Sequence, residues 1–303
     1  MLWTEKYRPN RLKDIVGQTD FVLDAEHWVV NRNMPNVLLF GPPGVGKTAA
    51  AISLANDLLG DDLDNNYFEI NASDDRKLET VRNRIKEIVS TSKIGDAPFR
   101  IILLDEMDGM TKDAQNALKR IMERYSDNCR FIITCNARHR IIGPLLSRCA
   151  NYQFNRLDNE NMVSVLENVL HSEGVSTYSK DELEMFIGYM HGDLRRGLTE
   201  LQACYASKSN LKNQIDKNLE PYTEILQLVN QNQYENSLKK VHDLLYGSVG
   251  MDTICINLHD TVLKTDMEQA KKFKFLKVIG ECEWRSSRMT PKLLASWMIG
   301  QMI

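Results

Sequence analysis

The sequence lacks several features that would place it in a specialised class of protein. No apolar run reaches the length of about eighteen residues that a membrane-spanning helix needs. The six cysteines include no Cys-x-x-Cys pair and no histidine at the spacing of a zinc site, so we expect reduced, partly buried thiols. The first residues do not have the shape of a signal peptide. These absences predict a soluble intracellular protein.

An excess of one charge is also missing. The chain has 38 lysines and arginines against 41 acidic residues, which gives a net charge of −3. Any nucleic-acid binding must therefore come from a local basic patch rather than from the field of the whole protein. The 303 residues are enough for two or three domains, since a domain usually takes about 100–200 residues.

A glycine-rich segment at residues 41–48 reads GPPGVGKT, between an apolar run and an alanine-rich helical pattern. Glycines let the backbone N–H groups of such a loop point inward, and the following helix adds its positive end. We expect Lys47 to contact the outer phosphates of ATP and the Thr48 hydroxyl to bind a magnesium ion. The predicted nucleotide-binding residues of this phosphate loop are Gly41, Pro42, Pro43, Gly44, Val45, Gly46, Lys47 and Thr48.

A second candidate site follows the apolar run at residues 101–104. An apolar run that ends in carboxylates is typical of a buried strand whose carboxyl end faces the ligand crevice of a parallel sheet. We expect Asp105 to complete the magnesium shell through water. We expect Glu106 to orient or deprotonate the water that attacks the γ-phosphate. The two sites together predict an ATP hydrolase.

Apolar runs alternate with helical patterns up to about residue 155, which is typical of a parallel sheet with helices on both faces. The predicted strands lie at residues 37–40, 67–70, 101–104, 131–134 and 152–154. A clear helical period covers residues 111–125. Beyond residue 156 we predict only helices, of which three lie between residues 158 and 206. A linker is expected at residues 207–213. Further helices are expected around residues 225–229, 238–245, 254–263 and 293–298.

Further motifs carry a resemblance to a known family. Residues 3–9 read WTEKYRP, residues 14–18 read DIVGQ, and residues 147–149 read SRC. Together with the two sites above, these motifs resemble those of the small subunits of replication factor C, of the archaeal or eukaryotic type. That family belongs to the clamp-loader branch of the AAA+ ATPases. The resemblance covers about the first two hundred residues in motif order.

The resemblance implies an architecture and a function. The expected parts are an α/β P-loop AAA+ domain at residues 1–156, a small helical lid at 157–208 and an all-α oligomerisation domain, or collar, at 209–303. The implied protein is an ATPase subunit that uses ATP and Mg²⁺ to open a sliding clamp and load it onto primer-template DNA. Its implied partners are the clamp, DNA that is bound without sequence specificity, and the other loader subunits. These subunits would form a hetero-pentamer with one large subunit. No association with a membrane is implied. It would act in the cytoplasm of an archaeon or the nucleus of a eukaryote.

The resemblance also implies roles for single residues. Arg8 and Val16 match the wall beside the adenine base, and Asn136 matches a sensor of the γ-phosphate or the attacking water. Arg195 matches an arginine of the lid that reaches the phosphates, with Arg196 as the alternative. Arg148 matches an arginine finger that enters the ATP site of a neighbouring subunit.

Simpler interpretations of some of these residues stay open. Trp3 and Tyr7, beside Arg8, would in that case only anchor the amino terminus. Asn136 would only cap the next helix.

A small basic edge is expected on neighbouring helices. Arg82 and Lys86 lie one helical turn apart beside an apolar stripe, and Arg120 extends the edge, with Arg84 and Arg124 as further candidates. In the family such helices follow the phosphate backbone of the duplex. Charged residues beside an apolar stripe are solvated by default, so that reading stays open. Ile94, in the loop at 90–98, either contacts the clamp or folds back on its own helix.

Two other functions remain possible. One is another AAA+ DNA-remodelling ATPase or a helicase-like motor, because residues 105–108 (DEMD) superficially resemble a helicase box. The absence of a second ATPase-like half and of a Ser-Ala-Thr motif after the fourth strand argues against it. The other is a scaffold that binds ATP only for assembly, against which Lys47, Glu106 and Arg148 argue.

Overall fold

The structure of the 303-residue chain is a computed structural model. It describes residues 1–72, 78–91, 93–175, 178–207, 211–247, 249–286 and 288–303, without the side chains of residues 78–83, 212, 214 and 217. The chain divides into two compact units, Met1–Lys208 and Ser209–Ile303. A further division of the first unit near residue 156 stays a prediction.

Five parallel strands form the sheet of the first unit, in the order β2-β3-β4-β1-β5. They are β1 (Val37–Phe40), β2 (Tyr67–Asn71), β3 (Arg100–Asp105), β4 (Cys129–Cys135) and β5 (Ala150–Gln153). The predicted parallel α/β sheet is therefore confirmed. The fifth strand begins two residues earlier than the apolar run at 152–154. It lies at the edge of the sheet, where alternate side chains are exposed and polar, so no continuous apolar run marks it.

Helices cover both faces of this sheet because successive strand residues point to opposite faces. Val37, Leu39 and Ile101 are buried in the core on one face. Leu38, Ile102 and other alternate residues are buried in the core on the other face. The helices before residue 157 are α1 (Trp3–Lys6), α2 (Thr19–Val30), α3 (Lys47–Leu59), α4 (Leu63–Asn66), α5 (Leu78–Ser90), α6 (Lys112–Arg124) and α7 (Gly143–Leu146).

Three helices complete the first unit, as predicted for this stretch. They are α8 (Asn159–Ser172), α9 (Lys180–Met190) and α10 (Leu194–Ala206). Each helix is preceded by a capping residue whose side chain accepts a hydrogen bond from a backbone N–H of the first turn. These capping residues are Asp158, Ser179 and Asp193. These caps give each helix a sharply defined start.

In the described residues of the second unit, every element of regular secondary structure is a helix. Its helices are α11 (Leu211–Asn230), α12 (Tyr234–Tyr246), α13 (Met251–Lys264), α14 (Gln269–Arg285) and α15 (Pro291–Met302). The predicted linker at residues 207–213 extends too far, because helix α11 already begins at Leu211. Helix α14 was not predicted, since lysines dilute its apolar period and Gly280 interrupts it. Among the described helices, none has the length and apolar character that crossing a membrane requires.

Candidate nucleotide-binding site

A cleft of about 670 Å³ opens where β3 and β4 end and where the phosphate loop follows β1. The carboxyl ends of parallel strands are the usual place for a ligand in such a sheet. Predicted site residues that line it are Arg8, Val16, Pro43, Gly44, Val45, Gly46, Lys47, Thr48, Asp105, Glu106, Asn136 and Arg195. Residues far apart in the sequence are therefore brought to one place.

Close packing explains why the phosphate loop begins with a glycine. A Cβ atom on Gly41 would lie 2.0 Å from the carbonyl oxygen of Phe154, the residue that follows β5. The φ angle of Gly41 is also +154°, which a residue with a side chain adopts with difficulty. The loop ends at Gly46, and α3 starts at Lys47 with its backbone N–H groups facing the loop. The geometry suits a bound polyanion.

Lys47 is held beneath the loop and is only 8% exposed. Its Nζ donates to the carbonyl oxygens of Gly41 (2.8 Å) and Pro42 (2.7 Å) and to Asn136 Oδ1 (2.9 Å). Burial lowers the pKa of the Lys47 ammonium group, a shift that nearby acidic groups oppose. A phosphate in the cleft would favour the charged form. Lys47 is thus a desolvated cation held by neutral acceptors, ready to be paired with an anion.

Two threonines bond to Asp105, Thr48 from the phosphate loop and Thr134 from β4. Thr48 Oγ1 lies 3.2 Å from both carboxylate oxygens of Asp105. The Thr134 hydroxyl donates to Asp105 Oδ1 and accepts from the backbone N–H of Glu106 (3.2 Å). A hydroxyl beside a carboxylate suits Mg²⁺, which takes few protein ligands and completes its shell with phosphate oxygens and water. Sequence analysis missed Thr134, because it lies inside the apolar run of β4.

Replacement of Thr134 by valine is expected to reduce both stability and ATP turnover. The change removes the Thr134 hydroxyl as an acceptor for the Glu106 N–H and as a donor to Asp105. We expect the free energy of unfolding to fall by about 1–3 kcal/mol. Urea unfolding and ATP turnover measure the two effects. Thr134→Ser is the matched control because it keeps the hydroxyl; a Thr134→Val protein equal to wild type in both measurements would contradict this role.

The backbone at Glu106 is in the left-handed region, with φ 54° and ψ 42°. This conformation ends β3 and starts a short 3₁₀ turn, Met107–Gly109. A left-handed residue other than glycine costs free energy, and such residues cluster at functional sites. The turn places the exposed Glu106 side chain at the cleft, next to Asp105.

Asn136 follows β4 and is held in place by Asp108. The carboxylate of Asp108 accepts from the backbone N–H groups of Asn136 (3.2 Å) and Ala137 (3.3 Å). The next helical turn is capped at Ala137, with no side-chain bond, so the interpretation of Asn136 as a helix cap is wrong. Its amide oxygen instead accepts from Lys47.

The two neighbouring arginines of α10 have different surroundings. Arg195 lines the cleft. The guanidinium of Arg196 lies 4.5 Å from the ring centre of Tyr189 and 4.0 Å from the carboxylate of Glu200. The geometry therefore favours Arg195 over Arg196 as the residue that meets a nucleotide.

The amino-terminal segment both anchors itself and lines the cleft. Trp3 is 4% exposed, and its backbone N–H donates to Gln202 Oε1 on α10 (2.9 Å). The Tyr7 hydroxyl donates to Glu173 at the end of α8 (2.7 Å). Tyr7 and Arg8 also line the cleft, so the anchoring interpretation and the interpretation as a cleft wall are compatible.

Arg148 lies away from this cleft. Its guanidinium donates to the carbonyl oxygen of Pro144 (2.7 Å) and forms an ion pair with Glu123 on α6. It lines a second concavity together with Trp28 and Arg130. Arg148 therefore does not join the nucleotide cleft of its own chain.

Exposed cations lie on α5 and α6. Lys86 and Arg120 are exposed, as are Arg84 and Arg124, whereas the Arg82 side chain lies outside the described residues. The two helices pack against each other and against the same core.

Ile94 is 51% exposed, so it does not fold back on its own helix. Its backbone N–H and carbonyl oxygen are both bonded to the Asn66 side chain, which fixes the loop with Ile94 displayed.

Comparison with known proteins gives one consistent result. The family profile described as "ATPase family associated with various cellular activities (AAA)" matches residues 37–157. A replication factor C small subunit of Methanococcus maripaludis is 36% identical over 291 residues, covering 93% of this chain and 92% of the relative. The protein of the same name from Archaeoglobus fulgidus is 38% identical over 292 residues, covering 94% and 91%.

Solved structures share the fold. The RuvB Holliday junction branch migration motor of Thermotoga maritima superposes with a TM-score of 0.59 over 83% of this chain and 85% of its own. The two sequences are 16% identical, so this likeness concerns the fold alone.

Proposed function

The chain belongs to the replication factor C small subunits, a family of AAA ATPases, and we propose that it hydrolyses ATP to load a ring-shaped sliding clamp onto primer-template DNA. One observation carries the proposal. A single cleft holds the phosphate loop, the paired carboxylates Asp105 and Glu106, and an arginine of α10, while Arg148 lies elsewhere on the same unit. Such a division suits an ATPase whose sites are completed between subunits.

Each cleft residue has a distinct part in the proposed reaction. Lys47 exchanges its carbonyl partners for the outer phosphates of ATP. The Thr48 hydroxyl would bind Mg²⁺ directly and Asp105 would complete its shell through water, and the bound ion would neutralise charge on the phosphates. Glu106 takes the proton of the attacking water, and Asn136 orients that water from a position fixed by Asp108.

Two more groups contact the nucleotide in this proposal. Arg195 reaches the phosphates from α10. Arg8 and Val16 border the adenine base.

Arg148 acts on the ATP of a neighbouring subunit in this proposal. Its side chain is one-third exposed, and its guanidinium is held at the surface by Pro144 and Glu123. An arginine supplied from outside stabilises charge on the transferred phosphoryl group. The active form would then be an assembly of loader subunits, which we propose to be a hetero-pentamer with a larger subunit, joined through the collar at residues 209–303.

The remaining surfaces suit DNA and the clamp. Lys86 and Arg120 offer a local positive edge to the phosphate backbone on a chain whose net charge is −3. Such contacts bind DNA without reading its sequence. Ile94 offers an apolar contact to the clamp. The protein would act where the chromosome is copied, in the cytoplasm of an archaeon or the nucleus of a eukaryote.

A loading assay tests the proposal. The chain is assembled with its larger partner subunit and mixed with labelled sliding clamp and primed circular DNA. We expect clamp to be retained on the circle only when ATP is present, and a Lys47→Ala assembly to retain none. ATP-dependent strand displacement without clamp retention would instead favour a helicase-like motor, and retention that does not depend on ATP would favour a scaffold.

A further inference from the structure

Asp193, the residue that caps α10, brings a carboxylate against the phosphate loop. A Cβ atom on Gly44 would lie only 2.0 Å from Asp193 Oδ1 and 2.9 Å from Oδ2. Both carboxylate oxygens therefore lie directly against the loop at this glycine. The contact joins two segments about 150 residues apart in the sequence.

The position of this carboxylate is fixed from three directions. Asp193 Oδ1 accepts from the backbone N–H of Arg196 (3.0 Å) at the start of α10. Gly192, with φ +73°, packs so closely that a Cβ atom there would lie 2.6 Å from the carbonyl oxygen of Leu157. Arg156 Nη1 donates to the carbonyl oxygen of His191 in the same turn (2.8 Å). The half-buried Asp193 is therefore held at the loop.

The charge of Asp193 has the wrong sign for the ligand of the loop. Asp105 is also acidic, but its carboxylate meets the Thr48 hydroxyl, where a cation fits. Asp193 instead meets the glycine of a backbone that binds phosphates. A phosphate bound by this backbone would carry the same sign of charge as Asp193, and like charges repel each other, more strongly where water is partly excluded. The cation of Arg195, two residues further on, opposes this effect.

We propose that Asp193 limits the affinity of the cleft for adenine nucleotides and so favours release of the product ADP. The inference rests on the proposed function, which makes the cleft an ATP site. The inference adds Asp193 to that site as a residue that sets its affinity for nucleotides. It also explains why α10 starts with an aspartate at this point, although asparagine or serine caps a helix equally well.

The test is the dissociation constant of a fluorescent ADP analogue with Mg²⁺, measured on the isolated full chain. Asp193→Asn keeps the shape and the cap and removes only the charge. We expect its dissociation constant to be about tenfold lower than that of wild type, with the difference shrinking as salt rises. The thermal midpoint should stay close to that of wild type because the cap is retained.

Asp158→Asn is the matched control. Asp158 caps α8 in the same way, accepting from the backbone N–H of Asn161 (2.8 Å), but unlike Asp193 it does not lie against a glycine of the phosphate loop. We expect its dissociation constant to equal that of wild type. An Asp193→Asn chain that binds ADP as wild type does, or more weakly, would overturn the inference, as would an equal gain in the Asp158→Asn chain.

The result separates this inference from the proposed function. ADP binding is measured without clamp, DNA or partner subunits. A tenfold tighter Asp193→Asn chain supports the inference even if the wild-type assembly retains no clamp in the loading assay, an outcome that contradicts only the loader proposal.

Discussion

Replacing Glu106 by glutamine is expected to reduce ATP turnover by about 10²–10⁴-fold while ATP binding persists. The amide cannot accept the proton of the attacking water. It has the same shape as the carboxylate, and the phosphate loop, Lys47 and Thr48, on which ATP binding depends, are unchanged. The loss should therefore appear in the rate of hydrolysis and not in the dissociation constant.

Steady-state turnover and a separate binding measurement test this prediction on the assembled complex. Glu184→Gln is the matched control, since Glu184 is exposed on α9 and does not line the cleft. It should hydrolyse ATP at the wild-type rate. Unchanged turnover in the Glu106→Gln complex would show that another group activates the water.

Replacing Arg148 by alanine is expected to preserve ATP binding and to reduce hydrolysis by the assembly by at least about 10²-fold. Arg148 lies outside the cleft of its own chain, so its removal leaves every group that lines that cleft in place. Its proposed role is to stabilise the charge that develops on the ATP of a neighbour. The effect is therefore expected in the assembly.

Turnover of the purified mutant assembly, with ATP binding measured in parallel, provides the test. Arg140→Ala is the control because Arg140 is an exposed arginine of the same region that does not line the cleft. The size of both assemblies must match that of wild type. Hydrolysis retained by an intact Arg148→Ala assembly would contradict the idea of a shared site.

The chemistry of the cleft can be predicted from the sequence where it depends on residues that are close together in the sequence. The phosphate loop needs glycines and a lysine in one short segment, and the paired carboxylates must follow a buried strand, so both are visible in the sequence. The five strands were visible for the same reason, except that the exposed edge strand β5 was placed two residues late.

Contacts between distant segments could not be predicted in this way. Thr134 is one polar residue within an apolar strand, and nothing in its neighbourhood shows that it bonds both to Asp105 and to the backbone of Glu106. The approach of Asp193 to Gly44 depends on the turn before α10 and on how that turn packs. The alternative interpretation of Asn136 as a helix cap was decided only by the structure, in which Ala137 caps the next turn and Asn136 Oδ1 accepts from Lys47.

The most direct test of the loader account is steady-state ATP turnover by the assembly, with and without sliding clamp and primed DNA. The account predicts strong stimulation that requires both the clamp and a primer-template junction, because the two surfaces proposed to bind them belong to the unit that holds the ATP cleft. Turnover that is indifferent to the clamp would contradict it.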